Sequence, residues 1–536
     1  MGTYDYPTFD YHRPAELDGD VPRRPVAIAG GGVVGLTMAL DLASRGVPVI
    51  VFDDDNSVSF GSRSVCQAKR TLEIWDRLGI AAPMMEKGVT WNEGHVFHGE
   101  EKIYGFNLQD NPSAKFPAFI NLQQYYCEAF MVDRATNDPL IDLRWRHRVT
   151  GLEQDADGVR VTVETPDGSF VQPCDWLVAA DGVRSTVRRA MGLCFDGQVF
   201  EDHFLIADIV MESDLPPIRR FYFDPPWGPE ASALMHKQAD KVWRLDFQLG
   251  WDIDKDEELK DENVIPRIRR MIGEDTPFEM EWKSIYTFQC RSIEKYRHDR
   301  VLFVGDAAHQ VSPFGARGGN GGVQDADNLA WKLALVVQGS ADERLLDSYH
   351  EERHAAAAEN ILNSTRATDF ITPKTPVSEV YRDAVLALAA KHPFARTLVN
   401  SGRLSLPRRL HESSLNGAHE LDGILRPGDP LPSLPVTCAS RPEATHLTDI
   451  TGEGFALLAF GPAQSMIGAC TPVHVLSFLD DVDDPDGAIA EAFGAEDGGY
   501  VLVRPDQHVL ATWRDFDGAA IADALDSALH PSASPP

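Results

Sequence analysis

The stretch 25-PVAIAGGGVVGLTMALDLASRGVPVIVFDDD-55 reads as strand, tight turn, helix and second strand. Its helix carries apolar residues at helical spacing (Leu36, Ala39, Leu40, Ala43), and Gly46 is the stop that follows. The second strand, 47-VPVIVF-52, runs into acid. Such a βαβ unit opens a doubly wound α/β sheet. Working outward, strand-like runs recur at 159-VRVTVE-164, 176-WLVAA-180 and 301-VLFV-304. Ala326, Leu329, Ala330, Leu333 and Val337 predict a helix after the last of them. Residues 200–292 differ in texture. There 219-RRFYFD-224, 241-KVWRLDFQLGW-251 and 282-WKSIYTFQCR-291 are aromatic-rich with period-two alternation, which predicts an inserted antiparallel sheet. The doubly wound domain then spans 25–199 and 293–370, behind a polar, flexible arm at 1–24. Helical segments and a linker fill 371–424. The proline-punctuated 425-LRPGDPLPSLP-435 leads into a third domain, 425–536.

The chain has 536 residues and a net charge of −32, with a pI near 4.8. That balance argues against a nucleic-acid partner and reads as solubility. No stretch approaches the ~20 apolar residues of a membrane helix. The segment 1-MGTYDYPTFDYHRPAELDGD-20 has no basic region followed by an apolar one, so no signal peptide is expected. The seven cysteines (66, 127, 174, 194, 290, 438, 470) contain no CxxC; they suit a reducing cytoplasm and offer neither a disulfide framework nor a zinc site. The expectation is a cytoplasmic protein that acts on small molecules, with no membrane and no nucleic acid as partner.

In 30-GGGVVG-35, Gly30, Gly32 and Gly35 form G-x-G-x-x-G between strand and helix. The first glycine allows the tight turn, the second lets backbone approach a pyrophosphate, and the third lets helix pack on strand. The helix N-terminus offers free N–H groups to the phosphates. Asp53 ends the next strand, 23 residues after Gly30, where an acid accepts adenosine ribose hydroxyls. A second loop, 305-GDAAHQVSPFGARGGNGG-322, separates FAD from NAD as the dinucleotide. Asp306 follows a strand and can face a ribityl chain, while five glycines in 315-GARGGNGG-322 let backbone N–H groups meet a flavin at a helix start. A third turn, 180-ADGVRSTVRR-189, also follows a strand and suits a dinucleotide-facing position.

Together these three motifs, in this order, resemble the single-component FAD-dependent aromatic hydroxylases, typified by para-hydroxybenzoate, phenol and 3-(3-hydroxyphenyl)propionate hydroxylases. The resemblance covers about residues 25–370. The later 498-GGYVLVRPDQHVLATWRD-515 looks like the end of the thioredoxin-like domain of the phenol and hydroxyphenylpropionate members. The implied fold is α/β: a Rossmann-like FAD-binding domain, an inserted antiparallel β-sheet substrate domain, and a C-terminal thioredoxin-like domain. By the resemblance, Gly30, Gly32, Val33, Val34 and Gly35 hold the pyrophosphate, and Asp53 the adenosine ribose. Arg63 reaches the cofactor phosphates, Gln124 (with Gln123 as the competing choice) lies beside the flavin chain, and Val149 flanks adenine. Asp181 belongs to a motif shared with nicotinamide binding, and Asp306 binds ribityl. Pro313, Gly318, Gly319 and Asn320 line the isoalloxazine, and the charge of Arg317 favours the anionic reduced flavin.

The chemistry implied is a relay on one tightly bound FAD. NADH or NADPH docks transiently and reduces it, O₂ adds at the flavin C4a, and the hydroperoxide passes an oxygen to an electron-rich ring, expected to be a phenol. A flavin-dependent epoxidase or halogenase, or a non-catalytic FAD-binding interaction protein, are the alternatives; the halogenase W-x-W-x-I-P pattern is absent. The substrate is expected against the inserted sheet, where Arg244, Asp246 and Gln248 share a face of 243-WRLDFQL-249. Tyr222, His236, Tyr286, Gln289 and Arg291 are further substrate-site candidates, and no catalytic residue is assigned. The literal zinc pattern 350-HEERH-354 has no third ligand at a familiar spacing and matches the helix that follows the GD motif in these hydroxylases, so no metal is expected. His309 reads as a packed histidine. Cys438 and Cys470 have no CxxC partners, so the third domain reads as structural or as a subunit contact; a homodimer is an expectation of the family.

Overall fold

The computed structural model describes residues 3–19, 21–109, 111–228, 232–399, 405–462 and 471–531. Its first sheet places parallel strands in the order Val301–Phe303, Gly168–Ala179, Arg24–Ala29, Val49–Phe52, Ile141–Arg144. Val26–Ala29 and Val49–Phe52 are buried without interruption, as strands covered on both faces must be. The helices Val33–Ser44 and Gly318–Val337 pack in the same core through Leu36, Leu40, Ala326, Leu329 and Leu333. An antiparallel extension, Arg148–Asp155 and Gly158–Thr165, continues from the Gly168–Ala179 strand.

The second sheet has eight strands and reaches outside 200–292. Its order is His309–Gln310, Glu279–Ser292, Asp196–Val210, Val242–Leu249, Ser232–Lys237, Arg219–Phe223, Glu93–His98, Glu101–Asn107. The hairpin 93–107 comes from the first half of the chain and pairs in parallel with Arg219–Phe223. Without it the apolar Phe221 and Phe223 strand would be an open edge, a liability that folds cover. One face of this sheet (Leu205, Ala207, Met235, Leu245, Phe247) is closed by the helix Asp261–Ile272 through Val264 and Ile268. The other face looks toward the first sheet and the helices at 347–391.

The C-terminal sheet runs Val473–Ser477, Phe455–Ala459, Tyr500–Val503, Val509–Trp513, with the first pair parallel and the others antiparallel. The helix Gly518–Leu529 covers one side of it. Cys470 lies outside the described residues. The N-terminal arm departs from the flexible segment expected. Tyr4 stacks on Tyr125 at 4.3 Å and Phe9 on Trp145 at 4.4 Å. Gly61 N donates to the Tyr6 hydroxyl, and Thr3 N and Oγ1 donate to Glu281. The arm looked polar because its aromatic residues are spaced singly; each finds its own ring on the body. The six described cysteines are free, and of them Cys194 alone is exposed. No helix among the described residues is long and apolar enough to cross a membrane.

The glycines of the first turn differ in what they tolerate. A Cβ on Gly35 would fall inside the Gly30 carbonyl oxygen, whereas Gly46 (φ +79°) faces open space. Gly35→Ala is therefore expected to yield protein that is insoluble or devoid of flavin. Gly46→Ala should fold, losing only the about 1–2 kcal/mol of a left-handed alanine, as read by thermal unfolding.

Candidate functional site

Three turns leave one edge of the parallel sheet and meet. Gly30 adopts φ +100°, and a Cβ there would lie 2.5 Å from the Ala180 carbonyl oxygen. Val34 is wedged against the 305–322 loop, since a Cβ on Gly322 would lie 2.6 Å from its Cγ2. Arg188, from 180-ADGVRSTVRR-189, donates to the Ala307 carbonyl at 3.2 Å. At the centre of this junction, Gly32 is the N-cap of the Val33–Ser44 helix and has no side-chain cap. Its nearest prospective neighbour is Glu128 Oε1 at 3.7 Å, so protein packing alone does not require a glycine there. The space it keeps open, at a helix N-terminus, fits a pyrophosphate.

The acids around this cleft keep acceptor capacity for a ligand. Asp53 Oδ2 accepts from Gly31 N at 2.6 Å and Oδ1 from Asp55 N at 2.9 Å; burial pushes its carboxyl up. Both oxygens retain lone pairs for hydroxyl donors. The strand carrying Val149 runs beside it, because His147 N donates to the Asp53 carbonyl at 2.7 Å, and Val149 itself is buried opposite Val163. Asp181 Oδ2 caps the Thr186–Ala190 helix through Thr186 N (2.7 Å) and Val187 N (3.1 Å), while Oδ1 is buried with no partner. Asp306 is densely surrounded by protein yet has an open surface, as a side chain on the floor of a cleft does; desolvation raises its pKa against the pull of His309 and Arg63. Arg63 is exposed at the rim. A dinucleotide with a polyol chain fits this set of donors and acceptors.

At the flavin end, Gly315 (φ +91°) and Ala316 (φ +54°) both take left-handed backbone, and strain of this kind at a non-glycine residue marks a shaped functional loop. Pro313 is exposed beside them. Gly318 and Gly319 open the helix, and a Cβ on Gly319 would press Ser64 Oγ at 2.8 Å. Two of the residues expected at the flavin have side chains engaged within the protein. Asn320 accepts from Ala68 N (2.9 Å) and Thr71 Oγ1 (2.6 Å) and donates to the carbonyls of Cys66 (2.8 Å) and Ala316 (2.6 Å). All its capacity is spent inside the protein, leaving only backbone for a ligand. Arg317 is 3% exposed and donates to the Phe314 carbonyl, so its charge sits behind the loop. Of the paired glutamines, Gln124 faces the cofactor side, tying Ser64 N, Ser59 Oγ and Glu128 together; Gln123 is fully buried and donates to Ala239 O. Glu128, buried beneath Gly32 with its carboxyl pushed up, carried no motif that singled it out.

Strand register sorts the substrate-site candidates. Phe204, Asp208, His236, Arg244, Asp246, Gln248 and Tyr286 share the inner face. Tyr222 pairs with Ala233 on the opposite face, stacked on Phe97 at 4.7 Å, so it does not share the inner face. Gln289 and Arg291 have the wrong parity relative to Tyr286, and Arg291 is held by Gln310 Oε1 at 2.9 Å and the Phe195 ring. Arg244 is neutralised by Asp208 (2.9 Å) and bonded to Ser62. Two charges are left. Arg219, missed from sequence although it has the parity of Phe221 and Phe223, is 8% exposed, beside the Cys66 thiol and the Trp91 ring. Among the described residues no carboxylate lies within ion-pair distance of it. Asp246 Oδ1 is buried without a partner, and desolvation pushes its carboxyl up to about 6 despite Arg244 and Arg219. His236 Nε2 is likewise without a partner, and burial keeps the ring neutral.

Of the other histidines singled out in the sequence, His309 is buried and His350 and His354 are half-buried. His309 Nε2 bonds Asp325 Oδ2 at 2.6 Å, and Asp325 also receives Arg353 Nε (2.7 Å) and Gly305 N (3.1 Å). His350 and His354 pack on Tyr296, and Glu351 accepts from Ser414 N and Oγ. Among the described residues, metal-ligand spacing occurs at His98, Asp224 and Asp383, where Arg382 already bridges both carboxylates at 2.7 and 2.8 Å.

If Gly32 is kept free for a ligand rather than for packing, Gly32→Val should fold with unchanged circular dichroism and melt as a cooperative unit. Its FAD content after purification should fall at least about tenfold, a loss of about 1.4 kcal/mol in binding, measured by the ratio of 450 to 280 nm absorbance.

Comparison with known proteins agrees with this geometry. A family model described as the FAD binding domain matches residues 23–364. The 3-(3-hydroxy-phenyl)propionate/3-hydroxycinnamic acid hydroxylase of Mycolicibacterium gilvum is 28% identical over 536 residues, covering 94% of this chain and 92% of its own. The probable NADH-specific resorcinol 4-hydroxylase of Rhodococcus jostii is 29% identical over 537 residues, covering 95% and 96%. Among solved structures, anhydrotetracycline hydroxylase from Streptomyces rimosus aligns with TM-score 0.72 at 28% identity, over 96% of this chain and all of that one. The chain belongs to the FAD binding domain family and is an FAD-dependent monooxygenase.

Proposed function

We propose that the protein hydroxylates a phenolic ring held between Arg219 and Asp246, using a reduced nicotinamide dinucleotide and O₂. The overall balance is ring C–H plus NAD(P)H, H⁺ and O₂ giving ring C–OH, NAD(P)⁺ and water. FAD supplies the electron transfer and oxygen activation. The observation that carries the reading is a pair of opposite charges, neither ion-paired, on the sheet face that looks at the flavin loop. A ring hydroxyl placed there donates to the Asp246 carboxylate, and the Arg219 guanidinium stabilises the oxygen as its proton leaves. The neutral His236 ring, whose Nδ1 lies 3.3 Å from the Asn121 amide, has Nε2 free for a second oxygen on the ring. Phe204, Phe288 and Phe314, packed with centroids 4.6–5.4 Å apart, wall the chamber and exclude water. The same residues suit one substituted ring or the terminal ring of a fused aromatic. The order of strands and the closing helix in 455–529 support a thioredoxin-like reading of the C-terminal domain.

Oxygen uptake with NADH or NADPH across a panel of phenols tests the reading. Stimulated uptake with a hydroxylated product is expected. Halide-dependent product, or uptake indifferent to every phenol, would overturn it. Asp246 must be ionised to accept the proton, so kcat/KM should rise with pH through about 6. Asp246→Asn should abolish that limb and lower kcat by roughly 10²-fold. Arg219→Met should chiefly raise KM for the phenol.

A further inference from the structure

The turn 504-RPDQ-507 of the C-terminal domain lies buried against the FAD-binding domain. Arg504 donates to both oxygens of Glu352 (2.5 and 3.0 Å) and to Asp506 (2.5 and 3.0 Å). Lys332 Nζ reaches Glu352 Oε2 at 2.7 Å, and Asn328 Nδ2 reaches Glu352 and Asp506 at 2.7 and 3.0 Å. Lys332 and Asn328 belong to the Gly318–Val337 helix, whose first turn makes the flavin bed. On the other side, Arg70 donates to the Asp506 carbonyl (2.7 Å) and Gln507 Oε1 (3.0 Å). The next residue, Thr71, donates to Asn320 Oδ1 at 2.6 Å, and Asn320 pins Cys66, Ala68 and Ala316. Through Arg70 and Thr71, neighbours on the Lys69–Arg77 helix, one bonded to the C-terminal turn and the other to Asn320, that turn is thus tied to the loop at 316–320.

Buried ion networks contribute little net stability because desolvation cancels most of the attraction, but they fix geometry sharply. Without CxxC, this domain has no thiol chemistry to explain such an investment. We propose that the 504–507 turn is a positioning element for FAD: it sets the Lys69–Arg77 helix against the Gly318–Val337 helix, and through Thr71 and Asn320 shapes the bed of the isoalloxazine. The proposal rests on the FAD reading of the cleft.

The test is a double-mutant cycle on FAD affinity with Gln507→Leu and Thr71→Val, which lie in different domains. Each single variant is expected to weaken FAD binding about tenfold. The double variant should be weakened by little more than either single one, because both break one line. With FAD saturating, the visible flavin spectrum should shift and the peroxide formed per NAD(P)H should rise. Lys115→Ala, which cuts a separate bridge from Lys115 to Asp449 and Asp76 (2.6 Å each), should leave affinity and spectrum unchanged. Independent effects, effects within twofold of wild type, or an equal loss in Lys115→Ala would overturn the proposal. Thr71→Val removes one hydroxyl and decides the question alone if Gln507→Leu does not fold. Wild-type protein that stays colourless with excess FAD would refute the cofactor reading instead.

Discussion

Everything in this molecule hangs on backbone approaching backbone at the junction of three turns. Gly30 lies against Ala180, Gly35 against Gly30, and Val34 against Gly305 and Gly322, at distances where a single methyl group would separate them. Because the glycines at 30, 35, 305 and 322 carry no side chain, the helix starts at 33 and 318 converge within reach of one elongated ligand. The acids at 53, 181 and 306 are then carried into the cleft by the turns that follow parallel strands. The substrate sheet, built from segments far apart in the chain, has a floor to close against only because this junction exists.

Glycine loops are legible in sequence because their demand is local: three turns of a few residues each state which backbone must come close. The Gly30 loop, the 180–189 turn and the 305–322 loop needed no knowledge of long-range pairing. What could not be read depended on partners hundreds of residues away. Tyr222 and Arg219 sit three residues apart on one strand, and only the register against Ala233 and Met235 tells which of them faces the chamber. The side-chain partners of Asn320 were equally hidden, since its four hydrogen bonds go to residues 66–71 and 316. The 93–107 hairpin joins a sheet whose other strands begin a hundred residues later. Parity within a strand is local, whereas the identity of the covered face is not.

A chain with net charge −32 nonetheless buries several cations, and their surroundings show two distinct uses. Arg353, Arg244 and Arg504 each meet carboxylates that accept two or more donors, which removes them from chemistry and spends them on geometry. Arg219 has no carboxylate within ion-pair distance among the described residues, the setting that the proposed ring contact uses. The contrast between satisfied and unsatisfied charge, more than burial, motivates the proposed ring site.

The disposition of the thiols bears on how long such a catalyst lasts. An enzyme that activates oxygen leaks peroxide, and the thiolate is the form that peroxide attacks. Burial raises the pKa of Cys66, Cys127 and Cys290 and pushes Cys174 up to about 12, so none presents a nucleophile to its own by-product. Among the described residues, Cys194 is the one exposed thiol, and capping it is the first step toward a more durable preparation.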